Sequence, residues 1–226
     1  MTGKEFAESV MDELEKMDFA NHPMAIKIRN GELTKTQVKE WAKQWYHGFL
    51  KDADRWVAEA FVHCPDPEYR KALLENCYEE GTGFHSKTKG HPILYREFLV
   101  GLGVSKEELE NTSPTPEAIA SLLNFWTIQN IPWYQFGPLF VTSESQVPLT
   151  YLSVIEGLRK HYGVSEEALT FFKIHASEVD QEHSSWNVRV IEEYATNERD
   201  QAEARQIVRR TAGLIWHLLN VYQRYN

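Results

Sequence analysis

Apolar positions recur every three or four residues along almost the whole chain, the period of an amphipathic helix. In FAESVMDELEKM, Phe6, Val10, Leu14 and Met17 fall at i, i+4, i+8 and i+11 and form one stripe. NHPMAIKIRNG predicts a short second helix closed by Gly31. The segment from Leu33 to Pro65 opens on Thr34 as a cap and predicts a single long helix anchored by Trp41, Trp45 and Trp56. Asp66 and Pro67 suit the cap and first turn of the next helix, CYEEGTG ends it, and GTGFHSKTKG is a loop leading to a helix beginning HPILYREFLVGLG. SKEELEN and TPEAIASLLNFWTIQNIP are further helical pieces. The aromatic stretch WYQFGPLF then joins a long helix over 141–163, which Pro148 should kink unless its N-terminus lies close before the proline. One helix over 165–195 carries HASEVDQEH, and a last one runs from Asp200 towards the C-terminus. With no alternating strands, repeats or linkers, the pattern predicts an all-α single domain over residues 1–226, a helical bundle of seven to eight helices.

Charge narrows the partners. With 24 basic and 33 acidic residues the net charge is −9, which argues against nucleic acid, because phosphate neutralisation needs clustered Lys and Arg. No apolar run approaches the ~20 residues of a membrane span. The N-terminal segment lacks a basic start and apolar middle, so a cytoplasmic location is the expectation. Two cysteines, Cys64 and Cys77, are too few for a disulfide framework or a thiolate metal site.

The candidate chemistry lies in three clusters of carboxylates and histidines. Glu79 and Glu80 end one helix and His91 opens the next, with His85 in the loop between as a rival. Carboxylates at a helix C-terminus oppose its dipole, a mild misfit that favours a role beyond solvation. Glu144 sits in VTSESQVP between apolar neighbours, where, taken alone, a first-turn carboxylate stabilising a helix N-terminus is the stronger reading. HASEVDQEH places His175, Asp180 and His183 within nine positions, after FF and before SSW. Each cluster alone could be a solvated helix face. Together, on facing helices of a bundle, they suit iron or manganese held by carboxylate oxygens and imidazole nitrogens.

NHPMAIKIRNGELTKTQVKEWAKQWY, HCPDPEYRKALLENCYEE, GHPILYREFLVGLGVSKEELE, ESQVP and ALTFFKIHASEVDQEH, in this order, resemble the heme-oxygenase-like diiron oxidase and oxygenase superfamily. That group includes TenA-like and PqqC-like proteins and proteins like the chlamydial death-domain-associated protein. The resemblance spans nearly the whole chain. It implies a ligand set of Glu79, His91, Glu144, His175, Asp180 and His183 around two Fe(II) ions (or manganese), with O2 as co-substrate. A small-molecule substrate, an external electron donor and a homodimer are the implied partners.

Two departures from the family pattern stand out. The family spaces its last ligands as H-x3-D-x2-H, whereas this chain has H-x4-D-x2-H. On a straight α-helix the fifth residue on lies about 140° from the first, against about 40° for the fourth. A one-residue π-bulge would restore the alignment; otherwise His175 faces Glu178 and Glu182. In the branch that makes para-aminobenzoate, the resemblance implies a tyrosine and a lysine of the protein as reactants, and those positions are Ala25 and Val154 here. A cofactor-free PqqC-like oxidase is a rival, although that branch carries histidine at the place of Glu79. A TenA-like hydrolase would need a nucleophilic cysteine, and a partner-binding protein with a vestigial metal site is the rival from another class. For the substrate, FWTIQNIPWYQFGPLF suggests an apolar or aromatic pocket, with Lys43, Arg55 and Arg189 as unranked anchors for an anion and Tyr46 and His47 as weaker neighbours.

Overall fold

The computed structural model describes residues 1–176 and 179–225, the side chains of 179–184 excepted. Among the described residues there is no strand, and the chain forms an all-α bundle around one contiguous hydrophobic core. None of the described helices is long and apolar enough to cross a membrane.

The elements are α1 (Gly3–Glu15), α2 (Pro23–Asn30), α3 (Lys35–Trp45), a π-helical turn (Tyr46–Leu50), α4 (Ala53–His63), α5 (Pro67–Thr82) and α6 (His91–Gly101). They continue as α7 (Lys106–Glu110), α8 (Pro116–Trp126), α9 (Phe136–Ser145), α10 (Val147–Tyr162), α11 (Thr170–His175), α12 (Val179–Tyr194) and α13 (Glu198–Leu219). Several caps follow the chain's chemistry directly. Thr34 and Gln37 close a capping box, Asp66 accepts from the amides of Glu68 and Tyr69, and Gly31 ends α2 with a left-handed φ of 71°. Helix α12 lies along α9, α4 along α5, and α10 along α2.

Two helices that the periodicity predicts as continuous are broken among the described residues, and the segments outnumber the seven or eight expected. The Leu33–Pro65 helix carries a π-helical turn, closed by Lys51 N–H donating to the Tyr46 carbonyl at 2.9 Å. It then turns at Lys51 and Asp52 before α4 begins. Gly48 lies in this turn, where a Cβ would stand 2.7 Å from Ala118 Cα; the turn can press onto α8 only because it has no side chain there. The helix over 141–163 breaks at Gln146. Pro148 stands in the first turn of α10, where its missing N–H leaves no bond unmade. Of the helix expected over 165–195, α11 begins only at Thr170 and ends at His175 with Ala176 as its cap, and α12 is described from Val179.

Candidate metal centre

Two glycines bring the first cluster together. Gly83 ends α5 in the left-handed region at φ 67°, and a Cβ there would lie 2.5 Å from the Lys89 carbonyl. At Gly90 a Cβ would lie 2.3 Å from the Gly81 carbonyl. The loop between α5 and α6 therefore doubles back tightly enough to lay His91, the first residue of α6, against Glu79 and Glu80.

The two glutamates do different things. Glu79 is buried; its Oε2 accepts from the amides of His85 (2.7 Å) and Ser86 (3.3 Å), and its Oε1 lies 3.3 Å from His91 Nε2. Burial would raise its pKa, but these donors outweigh it and the carboxyl is held below the usual range. Glu80 Oε1 lies 3.0 Å from the other ring nitrogen, Nδ1, and 4.0 Å from His175 Nε2. The contact with Nδ1 is off the hydrogen-bonding direction, and that buried nitrogen finds no hydrogen-bond partner among the described residues. Burial works to lower the pKa of His91, but the charges of Glu80 and Glu79 prevail and raise it to about 9.

His175, the last residue of α11, is fixed from behind. Its Nδ1 lies 2.8 Å from the Phe171 carbonyl one turn back, so Nδ1–H donates there and Nε2 is the nitrogen turned to the cluster. Phe171 and Tyr151 pack against the imidazole at centroid distances of 4.3 and 5.6 Å. One donor atom each from Glu80, His91 and His175 can be chosen so that all three lie within 4.8 Å of one another. Such an imidazole–backbone bond is the usual way a metal-ligating histidine is oriented.

Glu144, near the end of α9, lines a cavity with Glu80, Ser143, Tyr151 and His175. Phe49, Leu50, Trp56, Phe125 and Phe140 are among its apolar walls. About 50 Å³ is open to the centres of water-sized molecules, room for a few waters or a small apolar group. Burial in these walls, with the like charge of Glu80 added, pushes the Glu144 carboxyl up to about 8; His91 and the Asn76 amide pull weakly the other way. Glu80 and Glu144, two carboxylates facing one apolar space beside His91, fit a bound metal ion, as does His91 Nδ1, which meets Glu80 only off the hydrogen-bonding direction.

Of the six residues expected as ligands, His91, Glu144 and His175 converge here. Glu79 stands behind His91, while Glu80 faces His175 and the cavity that Glu144 lines. The side chains of Asp180 and His183 lie outside the described residues. His85, the rival of His91, is exposed and packs on Tyr78 and Phe84. Among the cations weighed as anchors, Lys43 is held by Glu40 (2.7 Å) and Glu108 (2.9 Å), Arg55 by Asp52, and Arg189 by Glu68 and Glu193. None of them lines the cavity. From FWTIQNIPWYQFGPLF only Phe125 and Phe140 reach it; Trp133 meets Tyr194 edge to face and Tyr134 stacks on it instead. Both cysteine thiols are pushed up by burial, which leaves little thiolate for TenA-like chemistry.

Periodicity did not single out Asn76 or Tyr151, and it gave Trp45 only as a helix anchor. The Tyr151 hydroxyl accepts from Trp45 Nε1 at 2.9 Å, which ties the cavity wall on α10 to α3. The spacing Glu144, Val147, Tyr151 carried a usable signal, since all three line the cavity across the break at Gln146.

A sequence profile described as an iron-containing redox enzyme matches residues 39–216. The chain belongs to this family of oxidoreductases. It is 30% identical over 205 residues to the 4-aminobenzoate synthase of Chlamydia muridarum, covering 88% of this chain and 84% of that protein. It is also 27% identical over 239 residues to the 4-aminobenzoate synthase of Nitrosomonas europaea, covering 100% and 94%. A TenA homologue from Pseudomonas syringae pv. tomato superposes with a TM-score of 0.81 at 14% identity, over 97% of this chain and 93% of that one. The chain therefore has the heme-oxygenase-like, TenA-like helical fold, with iron as the metal its family implies.

Proposed function

We propose that this protein is a non-haem diiron oxidase or oxygenase that uses O2 on a small apolar or aromatic substrate. Its metal ligands would be Glu80, His91, Glu144 and His175, with Asp180 and His183 completing the set that the family resemblance implies. The observation that carries this reading is the convergence of Glu80, His91 and His175 beside an apolar cavity also lined by Glu144. Iron bound there would supply the activation of dioxygen, which protein side chains cannot provide.

The chain's own residues would do the rest. Glu79 holds His91 through Nε2 and leaves Nδ1 to a metal; the Phe171 carbonyl does the same for His175 through its Nδ1. In the metal-free protein the Glu144 carboxyl keeps a proton up to about pH 8, so metal uptake releases that proton. Phe49, Trp56, Phe125 and Phe140 keep bulk water from the substrate space. No lysine or arginine lines the cavity among the described residues, which favours a substrate without a strong anionic group.

The relatives' own activity, 4-aminobenzoate synthesis, is the second reading. Against its transfer stand Ala25 and Val154, fully buried apolar residues at the positions where the family resemblance implies reactive tyrosine and lysine.

Anaerobic titration with Fe(II), then mixing with O2-saturated buffer under stopped-flow absorbance, tests the proposal. Two irons per chain and a transient visible band are expected. If the wild type binds no iron, or Glu80→Ala and Glu144→Ala bind it as the wild type does, the ligand assignment fails. Formation of 4-aminobenzoate by the iron-loaded chain alone would replace the first reading by the second.

A further inference from the structure

A second and larger concavity lies on the other side of the π-helical turn. Tyr46 and His47 form part of its wall, while Phe49 and Leu50 of the same turn line the inner cavity; the two spaces share no lining residue. About 490 Å³ of it is open to the centres of water-sized molecules, roughly ten times the inner cavity and in the range of sites for drug-sized ligands. Leu99, Val104 and Leu109 make a buried apolar floor, and Ile93 and Val100 extend it outwards, with Val100 64% exposed.

The charges around this groove do not cancel. Glu97 is paired with Lys89 at 2.5 Å and Glu110 with Lys106 at 3.7 Å. That leaves Lys51 and Arg96, exposed cations whose side chains have no hydrogen bond or ion pair among the described residues. A surplus of two positive charges beside an apolar floor is unusual on a chain of net charge −9. His47 does not add to it: burial lowers its pKa, and its Nε2 lies 3.2 Å from the Leu109 carbonyl.

We infer that this groove is a binding site for a small amphipathic carboxylate. Its head would sit between Arg96 and Lys51 and its apolar body on Leu99, Val100, Val104 and Leu109. Arg96 is suited to the head because its planar guanidinium takes a carboxylate through two parallel hydrogen bonds. The groove's depth fits a small molecule better than a flat protein face. The site differs from the inner cavity in charge and in size, and it does not depend on bound iron.

The test is calorimetric titration of the purified full-length chain with decanoate, with decan-1-ol as the neutral control. Hydrogen–deuterium exchange then locates the ligand. One decanoate per chain is expected, protecting residues 93–110 and not 136–151. Binding should weaken about tenfold or more for decan-1-ol and for Arg96→Glu, and by a smaller factor for Arg96→Lys, which keeps the charge but loses the paired hydrogen bonds. Arg96 is exposed and makes no side-chain hydrogen bond or ion pair among the described residues, so Arg96→Glu does not threaten the fold. The inference is overturned by absence of saturable binding, by equal affinity for the alcohol, by indifference to Arg96→Glu, or by protection confined to 136–151. It is also overturned if sedimentation shows a dimer that Arg96→Glu dissociates and that takes up no decanoate, since the groove would then be covered by a second copy.

Discussion

The seam between α2 and α10 and the junction of α5, α6 and α11 are built on opposite principles. At the seam the backbones nearly touch: a Cβ on Gly157 would lie 2.3 Å from the Ile28 carbonyl and 2.6 Å from Arg29 Cα. Ala25, Ile28, Val154 and Leu158 fill it without exposure, and flanking hydroxyls are satisfied, Thr150 by the Phe19 carbonyl and Tyr162 by the Leu33 carbonyl. At and beside the junction, His91 Nδ1, Asn76 Oδ1 and Gln146 Oε1 find no hydrogen-bond partner among the described residues, and two carboxylates share an apolar space. Packing this close serves stability. Buried atoms without a partner occur elsewhere too, Trp41 Nε1 and Ser121 Oγ among them; the junction differs in setting them beside two carboxylates at one cavity.

The contrast can be broken most forcefully at the seam. Gly157→Ala forces backbone apart rather than a flexible side chain, and we expect a loss of about 3 kcal/mol, lowering Tm by about 6–12 °C in calorimetry. Iron affinity measured on the folded fraction should be unchanged; a parallel loss of iron binding would show that the two regions are not independent.

The junction is sharpened by separating its two glutamates. Glu80→Ala should abolish measurable Fe(II) uptake, whereas Glu79→Gln should weaken it by about 10–100-fold through loss of His91 orientation. The reverse order in metal analysis would return Glu79 to the ligand role.

Proton linkage gives a third expectation. Both His91 (raised to about 9) and Glu144 (raised to about 8) bind protons more tightly folded than unfolded. Their contribution is fully present at low pH and is lost as pH rises, from about 4.5 to 8 for Glu144 and from about 6.5 to 9 for His91. Metal-free protein should therefore show a Tm that falls between pH 5 and 9, and Fe(II)-loaded protein a shallower slope, because the cation takes the place of the protons. Identical slopes in the two forms would count against the metal centre.

The smallest effect belongs to Glu144→Gln. Removing one of two facing carboxylates should stabilise the metal-free chain at pH 9 by about 1 kcal/mol while iron uptake falls. Unchanged stability at pH 9 would mean that the two charges do not oppose each other.

Much of this was legible in the sequence. Caps at Thr34 and Asp66, the terminating Gly31 and the apolar stripes set the helices, because each is a local matter of hydrogen-bond satisfaction or one-sided burial. Helix breaks were harder to read. The turn at 46–50 depends on Gly48 meeting α8, some 70 residues away, and no local pattern reports such a contact. The same limit applied to the centre. Motif order singled out His91, Glu144 and His175, but adjacent glutamates at 79 and 80 differ by about 100° around the helix axis, and only the packing of α6 decides which faces the cavity. Lys43 looked available for a substrate until Glu108, distant in sequence, closed on it.

The π-helical turn at Tyr46–Leu50 also bears on how this chain must be compared with others. The turn takes up one residue more than an α-turn: were the segment to straighten to α geometry without losing a residue, everything after it would rotate by about 100° relative to what comes before. Phe49 and Leu50 would leave the inner cavity, although every apolar residue of the pattern would still be present. The lengthened H-x4-D-x2-H spacing, with a helix ending at His175 and another starting at Val179, is a one-residue change of the same kind. Alignments carried through these two places without a gap, against a relative one residue shorter there, will pair residues that point in different directions.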